Sequence, residues 1–285
     1  MRFYFGLDLL IFSLIAFTSG VFSGVFLDKS LSAEKISNIE RNPIFYGYSV
    51  DDFTLEESAN AFSSAHPFLW LNSGAQLIVA GGIAKTVQGE LPENSKWRDY
   101  YLNSNPRDTD LGRHPQNIFR LLTKTKFKDF SEEAHFRIIR DNLSESKNRN
   151  ESNGVFLYAR FIDENNSYYL GIRVDGMAII KKKINGEYFT LAEKAYISGT
   201  AYDRKKNPSL LPRNELIGIR AQTVNKESGV NLRLFLRRPD EKDWNLFLEF
   251  TDTGSHGKPF EDMGQAGIRT DFMDVQFDDY KIEGR

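Results

Sequence analysis

At 285 residues the chain has material for one large domain or two small ones, and 40% hydrophobic with 27% charged residues is the usage of a folded protein, not a disordered one. With 37 basic against 39 acidic side chains the net charge is −2, which excludes the strong positive field of sequence-independent nucleic-acid binding. Cysteine is absent, so disulfides, thiolate catalysis and cysteine-bound zinc are excluded, and stability must come from the core or a bound ion.

The first element is the uncharged run Leu9–Leu27 between Asp8 and Asp28. As a helix rising 1.5 Å per residue it would cross about 28 Å, close to the roughly 30 Å of a bilayer core. The run is therefore predicted to be either a membrane anchor or a cleaved signal peptide. Thr18-Ser19-Gly20 and Ser30-Leu31-Ser32 supply small residues suited to cleavage. Arg2 ahead of the run and no stronger basic cluster behind it orient the body to the extracytoplasmic side, tethered or secreted. Residues 28–42 are polar and read as a spacer, and 43–285 as one folded body.

Within that body Thr54, followed by Leu55-Glu56-Glu57, suggests a capped short helix, and Ala75–Ala80 a strand closed by Gly81-Gly82. Residues 89–116 combine Pro, Asn, Asp and Gly with Trp97 and Tyr100-Tyr101, as an ordered aromatic insertion would. From Asn117 onward eleven runs of strand character follow: Ile118–Thr123, Ala134–Arg140, Gly154–Phe161, Tyr168–Val174, Met177–Lys182, Glu187–Ala192, Leu216–Val224, Val230–Leu236, Trp244–Thr251, Ala266–Arg269 and Met273–Ile282. Turn pairs such as Asp175-Gly176 and Asn185-Gly186 separate them and signal tight hairpins. The class is all-β, a sandwich or a barrel.

The segments Ser152–Phe161, Tyr168–Gly176, Asn185–Tyr188, Gly267–Phe272 and Asp274–Tyr280 together resemble the concanavalin-A-like lectin/glucanase superfamily, particularly laminin-G-like and 3-keto-disaccharide-hydrolase-like bacterial domains. The resemblance covers about Asn117 to Glu283. It implies a jelly-roll β-sandwich of two antiparallel sheets whose last strand returns beside the first, so that the chain from about Trp70 joins the same body. It also implies a polysaccharide or glycan as partner.

The catalytic Glu-x-Asp-x-x-Glu strand motif of the glucanases is absent, Glu132 and Glu133 point apart in a strand, and Asp274 and Asp278 lie about 13 Å apart along one. A non-catalytic glycan-binding module therefore stands ahead of a glycan-active hydrolase or lyase, with a structural envelope protein as the third reading. His66, His114, His135 and His256 show no metal-binding spacing and read as surface or loop residues. Strand alternation puts Arg160, Arg173, Arg220 and Arg233 on non-core faces, with Tyr158 and Tyr169. If their strands are neighbours they form an Arg/Tyr platform for binding a glycan; otherwise they are solvated outer faces paired to acids. Asp108 and Asp110, in a DxDxG stretch, offer oxygens of the kind calcium takes, or serve as turn acceptors. The resemblance adds Asp279 (or its neighbour Asp278) in the final strand as a further candidate for structural calcium.

Overall fold

The computed structural model describes residues 43–45 and 51–284, so the Leu9–Leu27 run and the spacer lie outside the described residues. Among the described residues no helix is long and apolar enough to cross a membrane.

Two antiparallel sheets carry the fold. The first has nine strands: β1 (Pro43–Phe45), β2 (Phe53–Glu56), β4 (Gln76–Ala80), β5 (Ile83–Thr86), β7 (Phe130–Asp141), β12 (Leu216–Lys226), β13 (Gly229–Arg237), β14 (Asn245–Asp252) and β16 (Met273–Gly284). Their order is β14-β13-β12-β7-β16-β5-β4-β2, with β1 also on β16. The second has seven: β3 (Leu69–Ser73), β6 (Ile118–Phe127), β8 (Gly154–Asp163), β9 (Asn166–Arg173), β10 (Met177–Ile184), β11 (Glu187–Ala195) and β15 (Gly264–Asp271). Their order is β11-β10-β9-β8-β15-β6-β3. All eleven runs expected after Asn117 are strands, and the last strand returns to pair with β1 and β5 near the start. The Asn185-Gly186 hairpin has both residues at positive φ, 53° and 86°, as a primed turn requires.

One local expectation changes and another is filled in. Thr54–Glu56 belongs to β2, not a helix: Phe53 and Leu55 alternate inward, and Leu55 pairs with Leu77 of β4, so a period of two prevails over the capping signal. The aromatic insertion contains helix α1 (Lys96–Ser104), capped by Ser95, whose side chain accepts from the Trp97 amide. The Tyr101 hydroxyl of α1 donates to Glu57 and accepts from the Gly74 amide, fastening the helix to the rim of the nine-stranded sheet.

The core lies between the sheets. Leu232, Leu234 and Leu236 of β13 and Ile217, Ile219 and Ala221 of β12 face Val155, Leu157, Leu170, Ile172 and Ile268 of the other sheet. At about 25 cal/mol per Å² of apolar surface removed from water, this interlayer supplies most of the driving force. One carboxylate sits inside it. Glu132 of β7 is fully buried and accepts from the Tyr280 hydroxyl and from the Gly267 amide of β15, both at 3.1 Å, so it bridges the two sheets. Glu133 points the opposite way, to Arg220.

Burial holds the Glu132 carboxyl well above its ordinary value, with the Tyr280 and Gly267 hydrogen bonds opposing. Its proton is kept in the folded protein and lost above about 4.5 in the unfolded chain, so its contribution is complete below that pH and declines as pH rises toward the folded value. Glu132→Gln, which keeps the shape, should therefore gain in unfolding free energy relative to the parent as pH rises from 5 to 8, by up to about 1.4 kcal/mol per pH unit, with its melting temperature rising in parallel. A gap that shrinks over the same range in thermal scans would refute this.

Candidate functional site

Strand alternation leaves the outer face of the seven-stranded sheet aromatic. Phe156, Tyr158 and Phe161 of β8, Tyr169 of β9, Ile179 of β10 and Leu122 of β6 form a second buried cluster there, apart from the core. Its residues lie low because their neighbours are small. A Cβ on Gly171 would stand 2.9 Å from the Phe156 ring and one on Gly154 2.8 Å from it, so glycine at both places lets that ring lie flat on β9. Across this floor lies Arg269 of β15, its guanidinium 5.2 Å from the Tyr169 ring and 5.7 Å from the Phe156 ring. Arg269 Nε donates to Asp271 Oδ1 at 3.0 Å. Burial opposes its charge, but Asp271 and the hydroxyls of Tyr158, Tyr169 and Tyr188 hold its pKa above the ordinary value.

Above the floor is a groove of about 430 Å³ lined by Tyr169, Lys181, Tyr188, Arg269 and Asp271 on the strands and by Asn148, Asn150, Ser152 and Asn153 on the 142–153 loop. Tyr188 of β11 is half exposed and meets Tyr169 edge-on, with centroids 6.3 Å apart. Lys183 lies 4.8 Å over the Tyr188 ring and donates to the Glu164 carbonyl. Hydroxyl and amide groups beside an exposed ring make a polar, hydroxyl-seeking wall facing a stacking surface. A larger hollow of about 790 Å³ is lined by Asp110, His114, Arg113 and Arg140. There His114 pairs with Asp110, Arg113 with Glu90 and Arg140 with Asp274, while Arg107 and Lys147 also line the hollow.

The Arg/Tyr platform does not form as expected. Tyr158, Tyr169 and Arg173 share the outer face of the seven-stranded sheet, with Arg173 held by Asp175 and Glu193. Arg220 and Arg233 belong to the nine-stranded sheet, where Arg220 is bonded to Glu133 and lies 4.4 Å over Trp244, and Arg233 is bonded to Glu249. Arg160 is turned inward. A bulge between Tyr158 and Phe161 places it at φ 113°, swings Phe161 onto the aromatic face and buries the guanidinium completely. There it donates to the carbonyls of Lys128 and Phe260 and to Asp129 at 3.2 Å, tying the β6–β7 turn to the 253–263 loop.

The two separate calcium candidates, Asp108 with Asp110 and Asp279 in the final strand, each have partners within the protein. Asp108 accepts from Ser146 and Asn148, and Asp110 from His114, Ser144 and Asn117, which pins the 142–153 loop as the wall of the groove. Asp279 stands on β16 beside His135. Among the described residues no group of three or more His, Asp or Glu is arranged to hold a metal ion. His135 is also not a loop residue: it is buried in β7 next to Trp244, with its pKa pushed down to about 4 by burial and by Arg237.

Four groove residues, Lys181, Tyr188, Arg269 and Asp271, escape a reading that scores each strand alone. A signal for two of them exists in the hairpins: the Asp175-Gly176 turn sets Lys181 opposite Tyr169, and the Asn185-Gly186 turn sets Tyr188 opposite Lys183.

No protein-family model matches the sequence, and no curated protein matches it. Among solved structures the chain is similar to a carbohydrate-binding module, CBM66, from Bacillus subtilis, at 12% identity over 85% of this chain and 98% of that one, TM-score 0.43. It is also similar to winged bean acidic lectin complexed with methyl-α-D-galactose, at 8% identity over 82% and 99%, TM-score 0.44. A third is arcelin-5, a lectin-like defence protein from Phaseolus vulgaris, at 10% identity over 81% and 96%, TM-score 0.40.

The inward Arg160 generates a prediction opposite to that of a ligand contact. Arg160→Met should lower stability by about 3–5 kcal/mol, since it leaves two carbonyls without their donor and Asp129 with only the Asn225 amide. A change under about 0.5 kcal/mol in chemical denaturation would return the residue to the surface role.

Proposed function

We propose that the protein is an extracytoplasmic, non-catalytic glycan-binding module, and that the ligand lies in the groove on the outer face of the seven-stranded sheet. The observation that carries this reading is the half-exposed Tyr188 ring at a groove whose opposite wall is built from Asn148, Asn150, Ser152 and Asn153. A sugar ring offers an apolar face for the tyrosine and hydroxyls for the amides and the Ser152 hydroxyl. Binding is favoured over hydrolysis because the groove carboxylates have other duties. Asp108 is occupied by Ser146 and Asn148 and Asp271 Oδ1 by Arg269, and the sequence has no Glu-x-Asp-x-x-Glu strand motif to set a matched acid and base across a scissile bond.

Tyr188→Ala should weaken binding to a responsive oligosaccharide by about 3- to 10-fold, the worth of roughly 0.5–1.5 kcal/mol of ring contact, with melting temperature unchanged. Calorimetric titration across an oligosaccharide panel, with an assay for new reducing ends, checks it. Turnover abolished by one carboxylate substitution, or affinity indifferent to Tyr188, would overturn the reading.

The extracytoplasmic placement rests on the Leu9–Leu27 run, which we take as an anchor. Expressed cells should hold the protein in the membrane fraction, released by detergent but not by salt, with the first residues retained. A soluble product beginning at Val21 or Ala33 would establish a cleaved signal peptide instead.

A further inference from the structure

The groove contains a cation that no hydrogen bond or ion pair among the described residues engages. Lys181 of β10 projects from the outer face opposite Tyr169, lines the groove and is only 9% exposed. A lysine this deep normally ends on a carboxylate or on carbonyl oxygens, because a desolvated ammonium without acceptors is costly. The next residue shows the usual solution. Lys182, pointing into the core, meets Asp252 at 2.8 Å and the carbonyls of Gly257 and Lys258 at 2.7 and 3.0 Å. Lys181 has no hydrogen bond and no ion pair among the described residues, and its neighbours make its position worse. Arg173 and Arg269 repel it and Glu193 is the carboxylate that opposes them, so that burial first and these two arginines next lower its pKa.

The rest of the face does not correct the imbalance. Arg120 and Arg269 stand directly opposite one another on β6 and β15, a like-charge pair that costs energy unless anions are near. Arg120 uses Asn72 and, at 3.4 Å, Glu164, while Asp271 meets Arg269 Nε through Oδ1 and keeps a buried Oδ2 without a hydrogen bond, one carboxylate beside the two cations Arg269 and Lys181. Arg173 is matched by Asp175 and Glu193. Lys181 is thus the member of this cationic set left facing the groove.

Resting on the glycan reading above, we infer that the ligand is an acidic polysaccharide, a chain bearing carboxylate or sulfate groups, whose anion docks on Lys181 beside Arg269 while a sugar ring lies against Tyr188. The net charge of −2 gives the molecule no general attraction for polyanions, so such binding is local to this face.

The test titrates the full chain with three probes of equal length: an oligogalacturonate, a sulfated oligosaccharide and a neutral gluco-oligosaccharide. At least one acidic probe should bind about tenfold or more tightly than the neutral one, and the better of the two identifies the anion as carboxylate or sulfate. Lys181→Met should abolish that preference, lowering acidic-probe affinity about 10- to 100-fold and neutral-probe affinity much less, and Lys181→Arg should restore most of it. Affinity for the acidic probe should also fall with added salt. Tyr188-dependent binding of the neutral probe, equal to or better than that of the acidic ones, would overturn the inference and leave the glycan reading standing. Acidic binding indifferent to Lys181→Met would overturn it as well, and failure of every probe to bind would remove both. Melting temperature and circular dichroism of each variant identify any loss that is merely misfolding.

Discussion

The structure turns on a guanidinium laid over aromatic rings. A sheet that packs one face into a core normally leaves the other to water, yet here β8 is buried along most of its length on both sides. Its outward residues, Phe156 and Tyr158, present apolar surface that needs a cover, and Arg269 provides one that tolerates both the rings and solvent. Asp271 holds the charge in place, two residues along the same strand face. With that cover the outer face becomes a shallow, polar-topped aromatic floor. Without it the same rings would form an exposed apolar patch.

The wall of the groove depends on carboxylates that hold loops. A long connection cannot run against a sheet unless its backbone and amide groups find partners. Asp108 and Asp110 serve Ser144, Ser146 and Asn148 in this way, and Asp274 of β16 gathers the Gly89 amide, Gln116, Asn142 and Arg140. The insertion at 89–116 and the 142–153 loop are thereby fixed to the end of the sandwich from the nine-stranded side, while they bound a groove on the seven-stranded side. Fold and site share these acids, which here serve as a framework of hydrogen bonds.

The two sheets treat cations differently, and the difference separates framework from function. On the nine-stranded sheet Arg220 and Arg233 lie across from or beside Glu133 and Glu249, the cross-strand pairing expected of a solvated face. In the core Lys182 and Asp252 neutralise each other with the Tyr168 hydroxyl bonded to the same carboxylate. Lys181, on the groove face, departs from both arrangements.

Much of the fold was legible in the amino-acid order because its signals are local. Period-two alternation marked the eleven strands after Asn117 and sorted Val155, Leu157, Ile217 and Leu234 to the inside; Asn185-Gly186 marked a primed turn because both positions need positive φ. Tyr158, Tyr169 and Arg173 were legible as members of one outer face for the same reason. What alternation could not supply was which strands share a sheet, so Arg220 and Arg233 were grouped with residues of the opposite layer. Nor could it foresee the bulge at Arg160, where one extra residue inverts the side-chain direction and the gain comes from contacts with Lys128 and Phe260, 32 and 100 positions away. The sequence by itself determined the strands, their faces and the hairpin registers; the tertiary structure decided the sheet order and the groove, because both depend on non-local packing of faces that many strand arrangements would satisfy equally in one dimension.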